Sequence, residues 1–150
     1  MSSSSPRDWT INILVTGCNG RMGKAIINCA SNHSEVLITK GIDIGDVLDD
    51  HIDDSDVVID FSTHAFTTEL VGKCASKDKS IVIGTTGHSD DELLAIKKSA
   101  ESVPIVMAPN FSVGVNTLFW LTKKTAEILG EDFDLEVIEM HHRQKIDAPS

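Results

Sequence analysis

The 150 residues contain no tyrosine. A mechanism that uses a tyrosyl hydroxyl as its acid is therefore excluded. Cysteine is scarce: Cys18, Cys29 and Cys74 are an odd set, and no two stand in a CxxC spacing. That argues against a disulfide framework and against a cysteine-based zinc site, and no metal is expected. Free thiols suit a reducing compartment, so a cytoplasmic location is expected. No apolar run approaches the ~18 residues of a membrane span. No charged n-region with an apolar h-region opens the chain, so no secretory signal is expected. Basic residues are outnumbered, 13 Lys and Arg against 23 Asp and Glu, for a net charge of −10. Nucleic acid and anionic membrane are poor partners for such a surface.

What is present describes a globular chain. Hydrophobic residues make up 41% and charged residues 24%. Length alone suits one domain of ~100–200 residues. The polar, Ser-rich opening, residues 1–8 (MSSSSPRD), reads as a flexible tail and is set aside.

From Trp9 onward two patterns alternate. Short apolar or β-branched runs occur at Ile11–Thr16, Val36–Thr39, Val57–Asp60, Ile81–Gly84 and Ile105–Ala108. The second of these extends toward Gly41-Ile42-Asp43. Helical spacing occurs between them, at Arg21–Ser31, Ala65–Ala75 and Asp90–Ser102. Strands alternating with helices imply βαβ units, and strands apolar on both faces imply a parallel sheet covered on both sides. The expected fold is α/β, a Rossmann-like doubly wound parallel sheet. After Pro109 the pattern changes. Gly114–Gly130 reads as a long helix and Asp134–Met140 alternates like a strand with one wet face. A second unit is expected to begin there. The expected division is a dinucleotide-binding domain over 9–111 and the first part of a second domain over 112–150.

Gly17-Cys18-Asn19-Gly20-Arg21-Met22-Gly23 lies between the first strand and the first helix. This GxxGxxG spacing is a variant of the dinucleotide fingerprint. Gly17 and Gly20 permit a tight turn and close approach of backbone to a pyrophosphate, and Gly23 permits the helix to pack on the sheet. The helix N-terminus supplies free N–H groups. Arg21 adds a positive charge. Asp43 stands about 20 residues past the last glycine, where a carboxylate commonly accepts from ribose hydroxyls. A 2′-phosphate would be repelled there and no Arg follows, so NADH is expected over NADPH. The neighbouring aspartates, seven between Asp43 and Asp56, read as a solvated connection. They lack the alternating ligands and terminal Glu of a calcium loop.

Three polar loops follow the later strands: Asp60-Phe61-Ser62-Thr63, Gly84-Thr85-Thr86-Gly87 and Ala108-Pro109-Asn110-Phe111-Ser112. Ligands on such sheets bind outside the carboxyl ends of the strands, so the three together favour a cofactor site. The chain closes on Glu139-Met140-His141-His142-Arg143-Gln144-Lys145. Histidine titrates near working pH, and Lys and Arg hold carboxylates, which suits proton transfer to an anionic molecule. A solvated basic turn and a metal site at Glu139, His141 and His142 are alternative readings. No HExxH spacing supports the metal.

GCNGRMG, VVIDFS, VIGTTG, APNFSVGVN and EMHHRQKIDAPS, in this order, resemble the 4-hydroxy-tetrahydrodipicolinate (dihydrodipicolinate) reductase family. The resemblance covers Ile11 to Ser150. It implies an NAD(P)H-dependent oxidoreductase of lysine and diaminopimelate biosynthesis that reduces a cyclic imine dicarboxylate, with the Rossmann-like domain followed by the start of an α+β substrate domain. By that resemblance the cofactor contacts are Gly17, Cys18, Asn19, Gly20, Arg21, Met22, Asp43, Gly84, Thr85, Thr86, Ala108, Pro109, Asn110 and Phe111. It implies His141 and Lys145 as catalytic proton donors, and His142, Lys145 and Ser150 as substrate contacts. Hydride would attack the conjugated ring, and the acid pair would protonate the resulting enamine. The family motif continues past DAPS into a Gly-Thr pair, and its members form homotetramers through a later sheet. The chain is therefore expected to be the N-terminal part of such an enzyme. The alternative is a nicotinamide-dinucleotide-binding module without turnover.

Overall fold

The computed structural model describes residues 9–138 and 140. The expected tail over 1–8 and the segment holding Glu139, His141, His142, Lys145 and Ser150 lie outside the described residues. Five strands and four helices follow in the order β1 (Ile11–Thr16), α1 (Arg21–Ala30), β2 (Val36–Ile42), β3 (Val57–Asp60), α2 (His64–Ser76), β4 (Ser80–Ile83), α3 (Asp90–Ser99), β5 (Ile105–Met107) and α4 (Val113–Leu129). Single 3-10 turns occur at Leu48–Asp50 and Gly130–Asp132. The described residues divide into two units between Asn110 and Phe111.

The first unit is a parallel sheet in the order β2-β1-β3-β4-β5. Chain order reverses direction at β1, so right-handed crossovers place α1 on one face and α2 and α3 on the other. The register is informative. Thr16 stands opposite Ile42 and Asp60, Asp60 opposite Ile83, and Ile83 opposite Met107. All five strands therefore end on one rung, and the loops that follow them leave the sheet side by side. A bulge between Ile13 and Leu14 breaks the β1–β2 register, and the hydroxyl of Thr39 donates to the Ile13 carbonyl at 3.2 Å.

The core lies between the sheet and the α2–α3 face. Leu14, Val58, Ile81 and Ile83 of the sheet meet Leu70, Val71 and Cys74 of α2 and Ile96 of α3. Burying each such aliphatic side chain contributes about 1.5–3 kcal/mol. The helix over 64–76 thus buries three of the four residues of its apolar stripe, and Phe66 packs against the cluster half-buried. α3 starts on a capping box: Ser89 Oγ accepts the Glu92 N–H, and Glu92 Oε2 accepts the Ser89 N–H.

Several expectations need correction. The aspartate-rich connection is more than a solvated loop. It is the β2-to-β3 crossover, and Leu48 and Ile52 within it are core residues. A chain that crosses β1 must lie on the sheet and bury whatever faces it. Asp49 pairs with Lys73 of α2 at 2.7 Å and Asp53 with Lys77, the C-cap of α2, at 2.8 Å, two exposed bridges that favour alignment more than stability. β5 is not covered on both faces, because it is the sheet edge: Val106 and Met107 are exposed.

In the second unit, α4 begins at Ser112, whose Oγ accepts the Val115 N–H. No residue of α4 is buried, and Leu118, Phe119, Trp120 and Leu121 are all exposed. Of the strand expected at 134–140, the described residues, 134–138 and Met140, carry none. A strand exists by pairing, and among the described residues this unit holds no other strand to pair with.

Candidate functional site

The rung formed by Ile42, Thr16, Asp60, Ile83 and Met107 sets the floor of the candidate site. Strand order reverses between β1 and β3, and crevices of α/β sheets open at such a switch point. A cavity of about 410 Å³ lies there, lined by Thr16, Gly17, Gly20, Ile42, Asp43, Asp46, Phe61, Ser62 and their neighbours.

The glycine loop is shaped by close backbone approach. Gly17 has φ +71°, and a Cβ on it would stand 2.2 Å from the Phe61 carbonyl oxygen. A Cβ on Gly23 would stand 2.3 Å from the Gly17 carbonyl oxygen, so α1 can pack on the loop only without a side chain there. Most loop amides are already engaged. Cys18 N–H donates to Ile42 O at 3.2 Å, Asn19 N–H to Asp43 Oδ2 at 2.8 Å, and Gly20 N–H to Gly17 O at 3.0 Å. Gly20 caps α1 without a side-chain hydrogen bond. The amides of the first helical turn, Arg21, Met22 and Gly23, have no partner inside the helix. Their dipoles favour an anion. Arg21 and Met22 are exposed, whereas the Cys18 side chain packs against Gly41.

Asp43 follows β2 directly. Its Oδ2 accepts from Asn19 N–H and its Oδ1 from Ile44 N–H, both at 2.8 Å. These backbone donors, that of Ile44 foremost, hold its carboxyl below the ordinary aspartate range. With one backbone donor on each oxygen, lone pairs remain for sugar hydroxyls. Asp46 closes the same turn: Asp43 N–H donates to Asp46 Oδ2 at 2.8 Å, and Asp46 N–H to Asp43 O at 3.0 Å.

Asp60 entered the sequence reasoning only through VVIDFS and as the start of the Asp60-Phe61-Ser62-Thr63 loop, with no role of its own, yet it is the most engaged side chain in the crevice. It is fully buried. Its Oδ1 accepts from Thr16 Oγ1 at 2.5 Å, from Ser62 N–H at 3.1 Å and from Ser62 Oγ. Its Oδ2 accepts from Thr67 Oγ1 at 2.6 Å and Thr85 Oγ1 at 2.9 Å. Among the described residues no cation pairs with it. The only sequence signal was a carboxylate ending an apolar strand among hydroxyl residues.

Of the expected cofactor residues, the cavity brings together Gly17, Gly20 and Asp43. Gly84, Thr85 and Thr86 follow β4 beside it, in touch through Phe61 and Ser62. A Cβ on Gly84 would fall 2.1 Å from Phe61 Cζ, and Ser62 N–H donates to Thr85 Oγ1 at 3.0 Å. Ala108 N–H donates to Ile83 O at 3.3 Å, which sets the start of the Ala108-Pro109-Asn110 loop next to Gly84. Phe111 belongs to the second unit. Beyond the Gly84–Thr86 loop, His88 Nε2–H donates to Thr85 O at 3.0 Å, and His64 Nδ1 bonds Glu92 Oε1 at 2.9 Å. That contact, with the Ser89 N–H, holds the Glu92 carboxyl below its ordinary range. Among the described residues no group of three His, Cys, Asp or Glu could hold a metal ion.

The sequence profile for the N-terminus of dihydrodipicolinate reductase matches residues 11–111, and the profile for its C-terminus matches residues 114–150. The chain belongs to the dihydrodipicolinate reductase family. It is 51% identical over 140 residues to the 4-hydroxy-tetrahydrodipicolinate reductase of Akkermansia muciniphila, covering 93% of this chain and 57% of that protein. With the enzyme of the same name from Desulfotalea psychrophila it is 40% identical over 161 residues, covering 92% and 60%. Among solved structures, the dipicolinate-bound dihydrodipicolinate reductase from Paenisporosarcina sp. TG-14 superposes with a TM-score of 0.70 at 29% identity, covering 94% of this chain and 62% of that one. A saccharopine dehydrogenase from Saccharomyces cerevisiae, at 16% identity and a TM-score of 0.57, shares the fold alone. The chain thus spans about three fifths of the length of these reductases. Among the described residues no helix is long and apolar enough to cross a membrane.

Proposed function

We propose that this chain is the dinucleotide-binding part of a cytoplasmic 4-hydroxy-tetrahydrodipicolinate reductase, and that its cofactor is NADH in preference to NADPH. Family members use NAD(P)H. The observation that carries the reading is the cavity at the β1/β3 switch point, with Gly17 and Gly20 at one wall and the Asp43 carboxylate at the other. Asp43, at the end of β2, would take the ribose hydroxyls at the adenosine end. The first-turn amides of α1 would hold the pyrophosphate, with Arg21 offsetting its charge. The Gly84–Thr86 loop, with Ala108, Pro109 and Asn110 next to it, would hold the other end; Phe111 is assigned to the cofactor by the family resemblance alone. Two carboxylates, Asp43 and Asp46, disfavour a 2′-phosphate at the adenosine end.

NADH supplies the hydride when bound. The residues of this chain orient it and handle protons. His141 and Lys145 donate protons, and His142, Lys145 and Ser150 hold the carboxylates of a small dicarboxylate substrate. The ligand named for the Paenisporosarcina structure is of that class. The division into domains at 9–111 and 112–150, and a homotetramer of the whole enzyme, belong to the same reading.

A second reading is dinucleotide binding without turnover by these 150 residues alone. It rests on the uncovered apolar side chains of α4, which leave the second unit without a core among the described residues. One experiment addresses both readings: titration of the 150-residue chain with NADH, followed by an assay for reduction of the cyclic imine. Binding is expected, with little or no turnover. Absence of NADH binding would sink the cofactor assignment, and turnover would sink the second reading.

A further inference from the structure

We propose that Asp60 is a positioning residue for the cofactor, acting through Thr85. The proposal rests on the reading that the Gly84–Thr86 loop receives the nicotinamide end.

A carboxylate with no exposed surface and no paired cation must be satisfied entirely by donors. Asp60 has five, and they come from four different places. Thr16 ends β1 and Ser62 lies in the loop after β3; both line the cavity. Thr67 lies one turn into α2. Thr85 is in the loop after β4. One side chain therefore joins the floor of the adenosine-side cavity to the loop at the other end.

The Thr85 hydroxyl has one proton, and it goes to Asp60 Oδ2 at 2.9 Å. Thr85 Oγ1 in turn accepts the Ser62 N–H at 3.0 Å. Thr85 is buried, whereas Thr86 beside it is exposed. The hydroxyl of Thr85 is thus turned inward as an anchor. The loop meets a ligand through its backbone and Thr86, at a height above the rung that Asp60 sets. Removing the anchor frees the loop without altering Asp43, Gly17 or the first turn of α1.

The test compares two ligands on the 150-residue chain. NADH spans both ends of the site, and ADP-ribose lacks the nicotinamide. Thr85→Val keeps the shape and removes the hydroxyl. It should raise the NADH dissociation constant about tenfold, a loss of one well-made hydrogen-bonded anchor, and blunt the fluorescence change of bound NADH. ADP-ribose should bind within about twofold of wild type. Thr85→Ser, which restores the hydroxyl, should recover NADH binding. Asp60→Asn should reproduce the Thr85→Val pattern; where it fails to fold, the two Thr85 variants decide. NADH and ADP-ribose weakening together in Thr85→Val, or neither weakening, would overturn the positioning role. So would Thr85→Ser behaving like Thr85→Val. Wild-type protein that binds ADP-ribose but not NADH would instead overturn the cofactor reading itself.

Discussion

Gly17 and Phe61 approach so closely that a Cβ on the glycine would stand 2.2 Å from the phenylalanine carbonyl oxygen. The contact joins the loop after β1 to the loop after β3, across the switch point where the cavity opens. Gly17 also has φ +71°, which L side chains rarely adopt. Gly17→Ala is therefore expected to cost about 2–4 kcal/mol, from backbone strain and overpacking combined. Gly72 is the control. It lies exposed inside α2, and a Cβ there would meet nothing within 4 Å. Gly72→Ala should stabilise by about 0.5–1 kcal/mol through helix propensity. Thermal unfolding of the two variants measures the opposite signs; equal effects would contradict the close approach.

Cofactor preference turns on Asp43. Asp43→Ala should lower NADH affinity about tenfold, a loss typical of charge-assisted hydrogen bonds, and narrow the difference between NADH and NADPH. Titration with each dinucleotide gives the ratio. A ratio unchanged from wild type would count against its contact with the ribose.

The three cysteines differ in reactivity. Cys29 is exposed, Cys18 half-buried and Cys74 buried, and burial pushes the Cys74 thiol up to about 12. The thiolate is the reactive form. An aromatic disulfide reagent at pH 8 should titrate Cys29 first and Cys18 more slowly, since burial and the nearby Asp43 and Asp46 raise its thiol. Cys74 should react only on unfolding. Rapid labelling of all three in the native protein would contradict the packing of α2.

Glu92 gives the acid response a definite sign. Its folded pKa lies below the ordinary value, first because of the His64 bond and then the Ser89 N–H. Its contribution is whole above the ordinary carboxylate range, roughly pH 4–5, and is lost as pH falls through the lower folded value. Glu92→Gln should therefore be less stable than wild type at pH 7, with the gap closing toward pH 3. Denaturant midpoints across that range measure it, and a gap that widens in acid would reverse the assignment.

The proton donors require the longer enzyme. In a chain extended to the length of its relatives, His141→Gln and Lys145→Ala should lower turnover by about 10²–10⁴, the usual worth of general acid catalysis. NADH affinity should stay nearly unchanged. Wild-type turnover in either variant would remove that residue from the proton-transfer step.

Much of the first unit was legible from consecutive residues. Ile11–Thr16 and Val57–Asp60 form strands with the bounds their apolar runs suggested, and the helices at Arg21 and Asp90 start where their spacing begins. The glycine loop and Asp43 were legible because the fingerprint is a local spacing. The strand expected at 134–140 was not, because alternation describes a face and says nothing of whether a partner exists to pair with it. Nor did the aspartate run reveal that Leu48 and Ile52 beneath it are core residues. Which side of a connection is buried depends on what it crosses.

The order of strands and helices, the phosphate-type loop and the family motifs are properties of the sequence itself. They depend on residues a few positions apart, whose periodicity and turn chemistry act locally. The common rung of five strand ends, the cavity and the Asp60 network were decided by tertiary structure. Thr16 and Asp60 are 44 residues apart, and Asp60 and Thr85 are 25. No local pattern marks such pairs. Only the parallel register brings the hydroxyls within reach, and burial then obliges the carboxylate to take them all.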